Sequence, residues 1–426
     1  MPRKLLYLVA AVVGLIGIAY AQIWILSLDF ITRGKILRAQ VVLVIQSFLC
    51  VGDYVVWKNI ADAFDKHRDQ SSYKGKNRIW RCILLIHTLL VHLSYMSNVF
   101  LVRTEPSIIA MGGYLFLAAQ VQLITSLVIF YFLNLFLKFI KRVPVSKSRK
   151  TVISVFYAIV AVTFGHLHAQ SPPIIKSVQI PIQGLPLSLD GFTITQISDI
   201  HLGPTVGKSH FQRIINLLNP LQSDIVVITG DLVDGPVNKL QESVSIINNI
   251  QAKHGTYYVT GNHEYYTMDT QNWLKYLSDQ GVNVLHNSNK RIPHNAPQSE
   301  QLCIVGTDDL EADRIRYEGH GFQLDKAIRG CTDTDTVLLL AHQPQAAYTA
   351  LHSGHKIDAV LSGHTHGGQM FPLIIGAYLL NPFYVGLYRH GNSHVYVSQG
   401  TVYWGMPVRI FTQHEITRIT LVKDKL

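Results

Sequence analysis

Asp224-Ile225-Val226-Val227-Ile228-Thr229-Gly230-Asp231 is a short apolar run that stops at a glycine and ends on a carboxylate. Such a run, bounded by turn residues, reads as a buried strand, and the glycine lets the backbone turn sharply enough to aim the next side chain. The same arrangement recurs on both sides of it. Phe192-Thr193-Ile194-Thr195-Gln196-Ile197-Ser198 runs into Asp199, and Thr256-Tyr257-Tyr258-Val259-Thr260 runs into Gly261-Asn262. Thr336-Val337-Leu338-Leu339-Leu340 precedes His342, and Ile357-Asp358-Ala359-Val360-Leu361-Ser362 precedes Gly363-His364. Five runs that each end in a polar turn predict an α/β sheet with its functional groups gathered at the strand ends.

The polar turns form an ordered set: Asp199-Ile200-His201, Gly230-Asp231-Leu232-Val233-Asp234, Gly261-Asn262-His263-Glu264, Ala341-His342-Gln343-Pro344 and Gly363-His364-Thr365-His366. Any one of these is ordinary in a loop; the set is not. Two divalent cations roughly 3.5 to 4 Å apart need a bridging carboxylate, neutral imidazoles and a carboxamide oxygen, with positions left open for water and a phosphate oxygen. Asp199, His201, Asp231, Asn262, His342, His364 and His366 supply those types. Such a mixed nitrogen and oxygen set admits Mn, Fe, Zn and similar ions without choosing among them.

On these motifs, residues 174–426 resemble the calcineurin-like metallophosphoesterase superfamily, whose domain is an α/β sandwich of mixed β-sheets flanked by helices. Gly363-His364-Thr365-His366-Gly367-Gly368-Gln369, Tyr396-Val397-Ser398-Gln399-Gly400 and Pro407-Val408-Arg409 resemble its branch of membrane-anchored bacterial phosphodiesterases. That branch usually has Pro-Glu-Ile where this chain has His414-Glu415-Ile416. The resemblance implies one cation held by Asp199, His201, Asp231 and His366, and a second held by Asp231, Asn262, His342 and His364, with Asp231 as the bridge. It implies His263 as general acid or hydrogen-bond donor to the leaving oxygen, oriented by Asp234; the alternative for Asp234 is an ordinary turn aspartate in Val233-Asp234-Gly235-Pro236. The implied function is metal-dependent hydrolysis of a phosphomonoester or phosphodiester, lipid-linked esters included, by a two-metal hydroxide mechanism. The other readings are a catalytically silent membrane scaffold and a transporter with a regulatory phosphatase-like domain.

Residues 1–170 are a different polymer. Apolar stretches at about 5–27, 37–57, 80–102, 114–137 and 151–169 approach the ~20 residues that cross a ~30 Å hydrocarbon core, predicting five membrane-spanning helices. The loop after the second stretch carries Lys58, Lys66, Arg68, Lys74, Lys76, Arg78 and Arg81, and the loop after the fourth carries Lys141, Arg142, Lys147, Arg149 and Lys150. The opposite loops hold only Arg33, Lys35 and Arg38, then Arg103. The positive-inside rule places the N-terminus and both basic loops in the cytosol, and five spans then put the catalytic domain in a lumen or outside the cell. The net charge of +10 divides accordingly: residues 1–175 hold 19 Lys and Arg against 6 Asp and Glu, and the remainder 18 against 21. The basicity belongs to the membrane part, so a nucleic-acid partner is not predicted.

Other expectations follow from local pattern. Cys303 and Cys331 could pair in an oxidising compartment. Val178-Gln179-Ile180-Pro181-Ile182 followed by Phe192-Thr193-Ile194-Thr195 reads as a hairpin. The segments Met370–Ile375 and Tyr378–Tyr384 read as core, with a lipid-facing rim at the mouth of the site as the alternative; Asp308-Asp309-Leu310-Glu311-Ala312-Asp313 reads as a solvated loop, the alternative being carboxylates that flank the metals; and His286, His294, His320, His352 and His355 read as surface or structural residues. Asp53, His87, His92, Gln120 and Gln122 are the polar exceptions among the membrane stretches. The ending Lys423-Asp424-Lys425-Leu426 resembles a lumenal retrieval signal with lysine in place of glutamate, and reads as an ordinary charged tail.

Overall fold

The structure, a computed structural model, describes residues 30–64, 74–292 and 301–424, with the single positions 24, 27, 28 and 297. Among the described residues four helices come first: Phe30–Phe64, Lys74–Phe100, Ile108–Phe139 and Lys147–Gln170. Each contains a segment long and apolar enough to cross a membrane, namely Thr32–Ile60, Ile79–Ser97, Ile108–Phe139 and Lys147–Gln170. They cover the second to fifth stretches read from sequence; the first, at about 5–27, lies outside the described residues, as do His294, Lys425 and Leu426. Ser107 and Ser146 start the last two helices by accepting the amides of Ala110 and Arg149, and Asn134 closes the hairpin between them by bonding both backbone groups of Val145.

Four of the five polar exceptions in these helices find one another. Asp53 takes His92 at 2.7 Å on one oxygen and the Gln120 amide at 2.7 Å on the other, and Gln120 meets His87 at 2.7 Å. Such mutual pairing is what makes polar groups tolerable in hydrocarbon.

From Ile174 the described residues build two six-stranded sheets. The first has the order β1 (Ile174–Ile182), β12 (Glu415–Lys423), β2 (Thr193–Ile197), β3 (Ile225–Thr229), β4 (Thr256–Val259), β5 (Asn283–Val284). The second runs β10 (Gly386–His390), β11 (Ser393–Val397), β9 (Ala359–Ser362), β8 (Thr336–Leu340), β7 (Leu302–Gly306), β6 (Ser288–Ile292). All residues of β3 are β-branched and fully buried, and successive side chains serve opposite layers. Ile225 and Val227 face the other sheet, packing with Leu302, Ile304, Leu338 and Leu361, while Val226 and Ile228 lie under the helices Lys208–Leu218 and Thr270–Asp279. The outer face of the second sheet, with Val305, Val337 and Val360, is covered by the helix Pro344–Leu351. The result is the mixed α/β sandwich expected from the sequence.

The hairpin expected from Val178 to Thr195 does not form. β12 lies between the two strands, parallel to β1 over nine residues from Ile174↔Glu415 to Ile182↔Lys423 and antiparallel to β2. A long strand from the far end of the chain satisfies the full length of β1, which the five-residue β2 would leave half unpaired.

The sandwich docks directly on two of the membrane helices. Val408 and Ile410 pack with Tyr114, Ala118 and Val162. Gly165 makes this possible: a Cβ there would sit 2.6 Å from Val408, and its carbonyl accepts the Arg409 amide at 2.9 Å. His166 and His168 of the same helix reach the carbonyls of Pro407 and Arg409 at 2.8 and 3.3 Å.

Candidate metal centre

The ends of β2, β3 and β4 in one sheet and of β8 and β9 in the other converge on one buried cluster. The backbone is bent hard to achieve it: Asp199, His201, Asp231, His364 and His366 all adopt left-handed φ, between +50° and +72°. That conformation disfavours any residue with a Cβ and is retained where geometry of function requires it. Gly261 lies so close to Asp231 that a Cβ there would meet the Asp231 carboxylate and amide.

Two triads result. Asp199, His201 and His366 bring one ligand atom each within 4.8 Å of one another, and so do Asp231, His342 and His364. In the first, His366 Nε2 lies 3.0 Å from His201 Nε2 and 3.3 Å from an Asp199 oxygen. In the second, His342 Nε2 lies 3.1 Å from Asp231 and 3.2 Å from the Asn262 carbonyl oxygen, which is 2.9 Å from His364 Nδ1. Asp231 also stands 3.7 Å from His201, between the two groups. All seven sequence candidates therefore meet in one place.

The donor set fits cations. His201 Nδ1 donates to Asp234 at 2.9 Å and His342 Nδ1 donates to the Thr229 carbonyl at 2.6 Å, so each ring in its neutral form turns the lone pair of its Nε2 toward the cluster. Two facing imidazole nitrogens, as in His201 and His366, have at most one proton to share, and a cation between them resolves the repulsion. Burial holds the His364 ring down to about 3, and burial with the neighbouring His201 holds His366 well below its ordinary range, which favours the neutral ring in both.

His263 stands beside this cluster. A further grouping of ligand atoms combines it with His201 and Asp231, but its Nδ1 donates to Asp234 at 2.7 Å and its amide to Asp231 at 2.8 Å. Burial works against a charged His263 ring, yet the Asp231 and Asp234 carboxylates overcome it and raise the group to about 9. Asp234 itself is pulled well below the usual carboxylate range: burial opposes this, and the His201 and His263 rings prevail. One of its oxygens accepts both imidazoles. The rings of Tyr266 and Trp404 stand edge-on to His263 at 5.1 and 5.5 Å.

Two supporting residues went unassigned from sequence. Buried Glu264 accepts the amides of Gly261, Leu232, Asp231 and Val233 at 2.6, 2.8, 3.0 and 3.2 Å, tying the β3 and β4 turns together. Its place three residues after Gly261 is a helix-start signal that could have identified it. Fully buried Arg409 donates to the carbonyls of His366, Gln413, Gln399 and Val402, fixing the His366 turn to the loop before β12.

Two expectations are overturned here. Asp308 and Asp309 are buried rather than solvated: Asp309 accepts Gln343 at 2.7 Å, and Asp308 pairs with His286 at 2.7 Å and His320 at 3.4 Å. These last three form a further His-Asp group, with His320 also meeting Tyr265 at 3.1 Å and Gln271 at 3.0 Å; His352 and His355 are exposed as expected. The segment after the His366 turn is not core either. Met370 and Phe383 are buried, but no residue of the helix Leu373–Leu380 is.

Comparison with known proteins agrees with the geometry. Residues 192–368 match the calcineurin-like phosphoesterase family. The chain is 41% identical over 398 residues to the transmembrane protein with metallophosphoesterase domain of Danio rerio, covering 92% of this chain and 91% of that one. It is 36% identical to the Bos taurus protein of the same name, over 93% and 92% of the two chains. An uncharacterized metallophosphoesterase of Helicobacter pylori is 33% identical over 61% of this chain and 66% of its own. The family is one of metal-dependent hydrolases, and this structure holds buried groups of His and Asp that could bind a metal. The chain belongs to the calcineurin-like metallophosphoesterase family, among the transmembrane proteins that carry that domain.

Proposed function

We propose that this protein is a membrane-tethered phosphoesterase in which Asp199, His201, Asp231 and His366 hold one divalent cation and Asp231, Asn262, His342 and His364 hold a second. The observation that carries this reading is the position of Asp231, whose carboxylate lies within 3.1 Å of His342 and 3.7 Å of His201 and so faces both groups. Bound there, the cations would supply Lewis acidity toward a phosphate oxygen and lower the pKa of water. The chain's own residues do the rest. Asp234 holds Nδ1–H of His263, leaving Nε2 as the nitrogen that carries a proton to the departing ester oxygen. Water adds its oxygen to phosphorus and gives up a proton to solvent, the P–O ester bond breaks, and the alcohol leaves with the proton from His263. Tyr266 and Trp404 flank His263 edge-on.

We read residues 1–170 as a five-span membrane region with a cytosolic N-terminus, and 174–426 as an extracytoplasmic catalytic domain. The Lys and Arg asymmetry of the loops supports this orientation, and so does the Cys303–Cys331 disulfide, a bond that persists in oxidising compartments. The test is to strip the purified full chain of metal, restore Mn, Fe or Zn in turn, and assay phosphomonoesters and phosphodiesters. No turnover with any ion would refute the enzyme reading.

A further inference from the structure

The helix Leu373–Leu380, Leu-Ile-Ile-Gly-Ala-Tyr-Leu-Leu, carries no charge and buries none of its side chains. Tyr378, Leu379 and Leu380 are 64%, 71% and 83% exposed. In water such a helix would be an unfavourable surface, so its surroundings must be asked of its position.

That position is fixed by the membrane helices. The Asn134–Val145 clasp joins the helices Ile108–Phe139 and Lys147–Gln170 at their basic end, beside Lys138, Lys141, Arg142 and Lys147. Gln122 is twelve residues from Asn134, and Tyr157 twelve from Val145, about 18 Å along each helix at 1.5 Å per residue. At that level Tyr157 donates to Gln122 at 3.0 Å, and buried Gln122 donates to the Phe371 carbonyl at 2.7 Å. The chain entering the Leu373–Leu380 helix is therefore about 12 Å inside the far edge of a ~30 Å hydrocarbon core. Phe411, 84% exposed, follows Ile410, which lies against Gly165; Gly165 is twenty residues, about 30 Å, from the clasp and so at the edge itself. The chain thus enters this exposed apolar helix at a level that the neighbouring helices also cross.

The same segment is joined to the candidate site by short links. A Cβ at Gly368, two residues past His366, would collide with the backbone of Ile374 in this helix. Gln369 donates to the carbonyls of Trp404 and Met406 at 3.1 and 2.8 Å and accepts the Trp404 amide at 2.8 Å, and the Trp404 ring stands against His263.

We propose that the Leu373–Leu380 helix lies among the acyl chains of the far leaflet and that the phosphate ester hydrolysed at this centre is a lipid drawn from that leaflet. The substrate half of this rests on the phosphoesterase reading above; the membrane half stands alone. The chemistry is unchanged: water oxygen bonds to phosphorus, the P–O ester bond breaks, and the alcohol, lipid or headgroup, leaves with a proton.

The full chain would be reconstituted in phosphatidylcholine vesicles with and without brominated acyl chains. The added fluorescence of Leu379→Trp over its parent should be quenched by the bromines; no quenching overturns the membrane half. Metal-loaded parent and the double variant Leu379→Glu, Leu380→Glu would then be assayed on a methylumbelliferyl phospholipid in the vesicles and on a water-soluble methylumbelliferyl phosphodiester. The double variant should lose about tenfold or more on the lipid and keep its rate on the soluble ester. Equal loss on both esters, no loss on either, or a parent that hydrolyses only the soluble ester overturns the lipid substrate and leaves the phosphoesterase standing. A parent that hydrolyses neither ester brings down the phosphoesterase reading with it, while the quenching result is unaffected.

Discussion

Asp234→Asn tests the site most sharply, because one oxygen of this residue serves two rings with different duties. Oδ1 accepts His201 Nδ1 at 2.9 Å and His263 Nδ1 at 2.7 Å. Asparagine keeps the shape and removes the charge. For His201 the loss is that of an outer-shell partner, which typically costs 10 to 100-fold in metal affinity. For His263 the loss is one of the two carboxylates that raise its pKa from 6.5 to about 9 against the pull of burial. A general acid must be protonated, so the rate falls as pH rises through the group's pKa. Weakening the attraction moves that falling limb to lower pH, by about one unit or more, since one unit is ~1.4 kcal/mol and a charge-assisted hydrogen bond is worth at least that. Cations bound beside it would lower the ring's pKa in both proteins, so the difference between the limbs is the readout. Turnover of a soluble ester at saturating metal, measured from pH 6 to 10 for both proteins, separates the two duties. Identical limbs with a uniformly lower rate would refute the assignment of Asp234 to His263 and leave it a support for His201 alone.

Asp231→Asn should lose metal and activity together, whereas His263→Ala should keep its metal and lose about 10² to 10⁴-fold in rate; elemental analysis beside kinetics decides both, and unchanged turnover in either refutes the roles. Glu264→Gln replaces an acceptor of four buried amides with a group that has one acceptor oxygen and two donors, so thermal unfolding should show a loss of about 2 kcal/mol or more. Protease added to sealed vesicles should reach the catalytic domain only from the extracytoplasmic side; cleavage confined to the cytosolic face would mean that the span count is wrong by one.

What could be read from the chain divides along a physical line. The strands ending at Asp199, Asp231, Asn262, His342 and His364 were legible because each is a local event: an apolar run, a sharp turn, and a side chain whose chemistry is restricted to a few residue types. The grip of Glu264 on residues 231 to 233, the carbonyls gathered by Arg409, and the insertion of β12 between β1 and β2 depend on segments brought together from 30 to more than 200 positions apart, and no local pattern encodes such pairing. The buried Asp308 group shows the same limit, since a run of carboxylates reads as solvated until His286 and His320 arrive to partner it.

Leu373–Leu380 differs from all of these. Its eight apolar residues are equally suited to a protein core and to a hydrocarbon solvent, because both reward the removal of apolar surface from water. The sequence pattern therefore identifies the need and not the environment that meets it. Only the levels of Gln122 and Tyr157 on the neighbouring helices tell the two apart, by placing Phe371 below the far edge of the bilayer. The turn bearing His366 is covalently continuous with that segment through Gly367-Gly368-Gln369, so a candidate catalytic centre and a lipid-facing helix occupy one short stretch of chain. A domain needing only a tether could hang from any membrane helix on a flexible linker. Here the sandwich is instead packed onto two of them through Gly165, Val408 and Gln122, which fixes the height of the centre above the leaflet as well as its attachment.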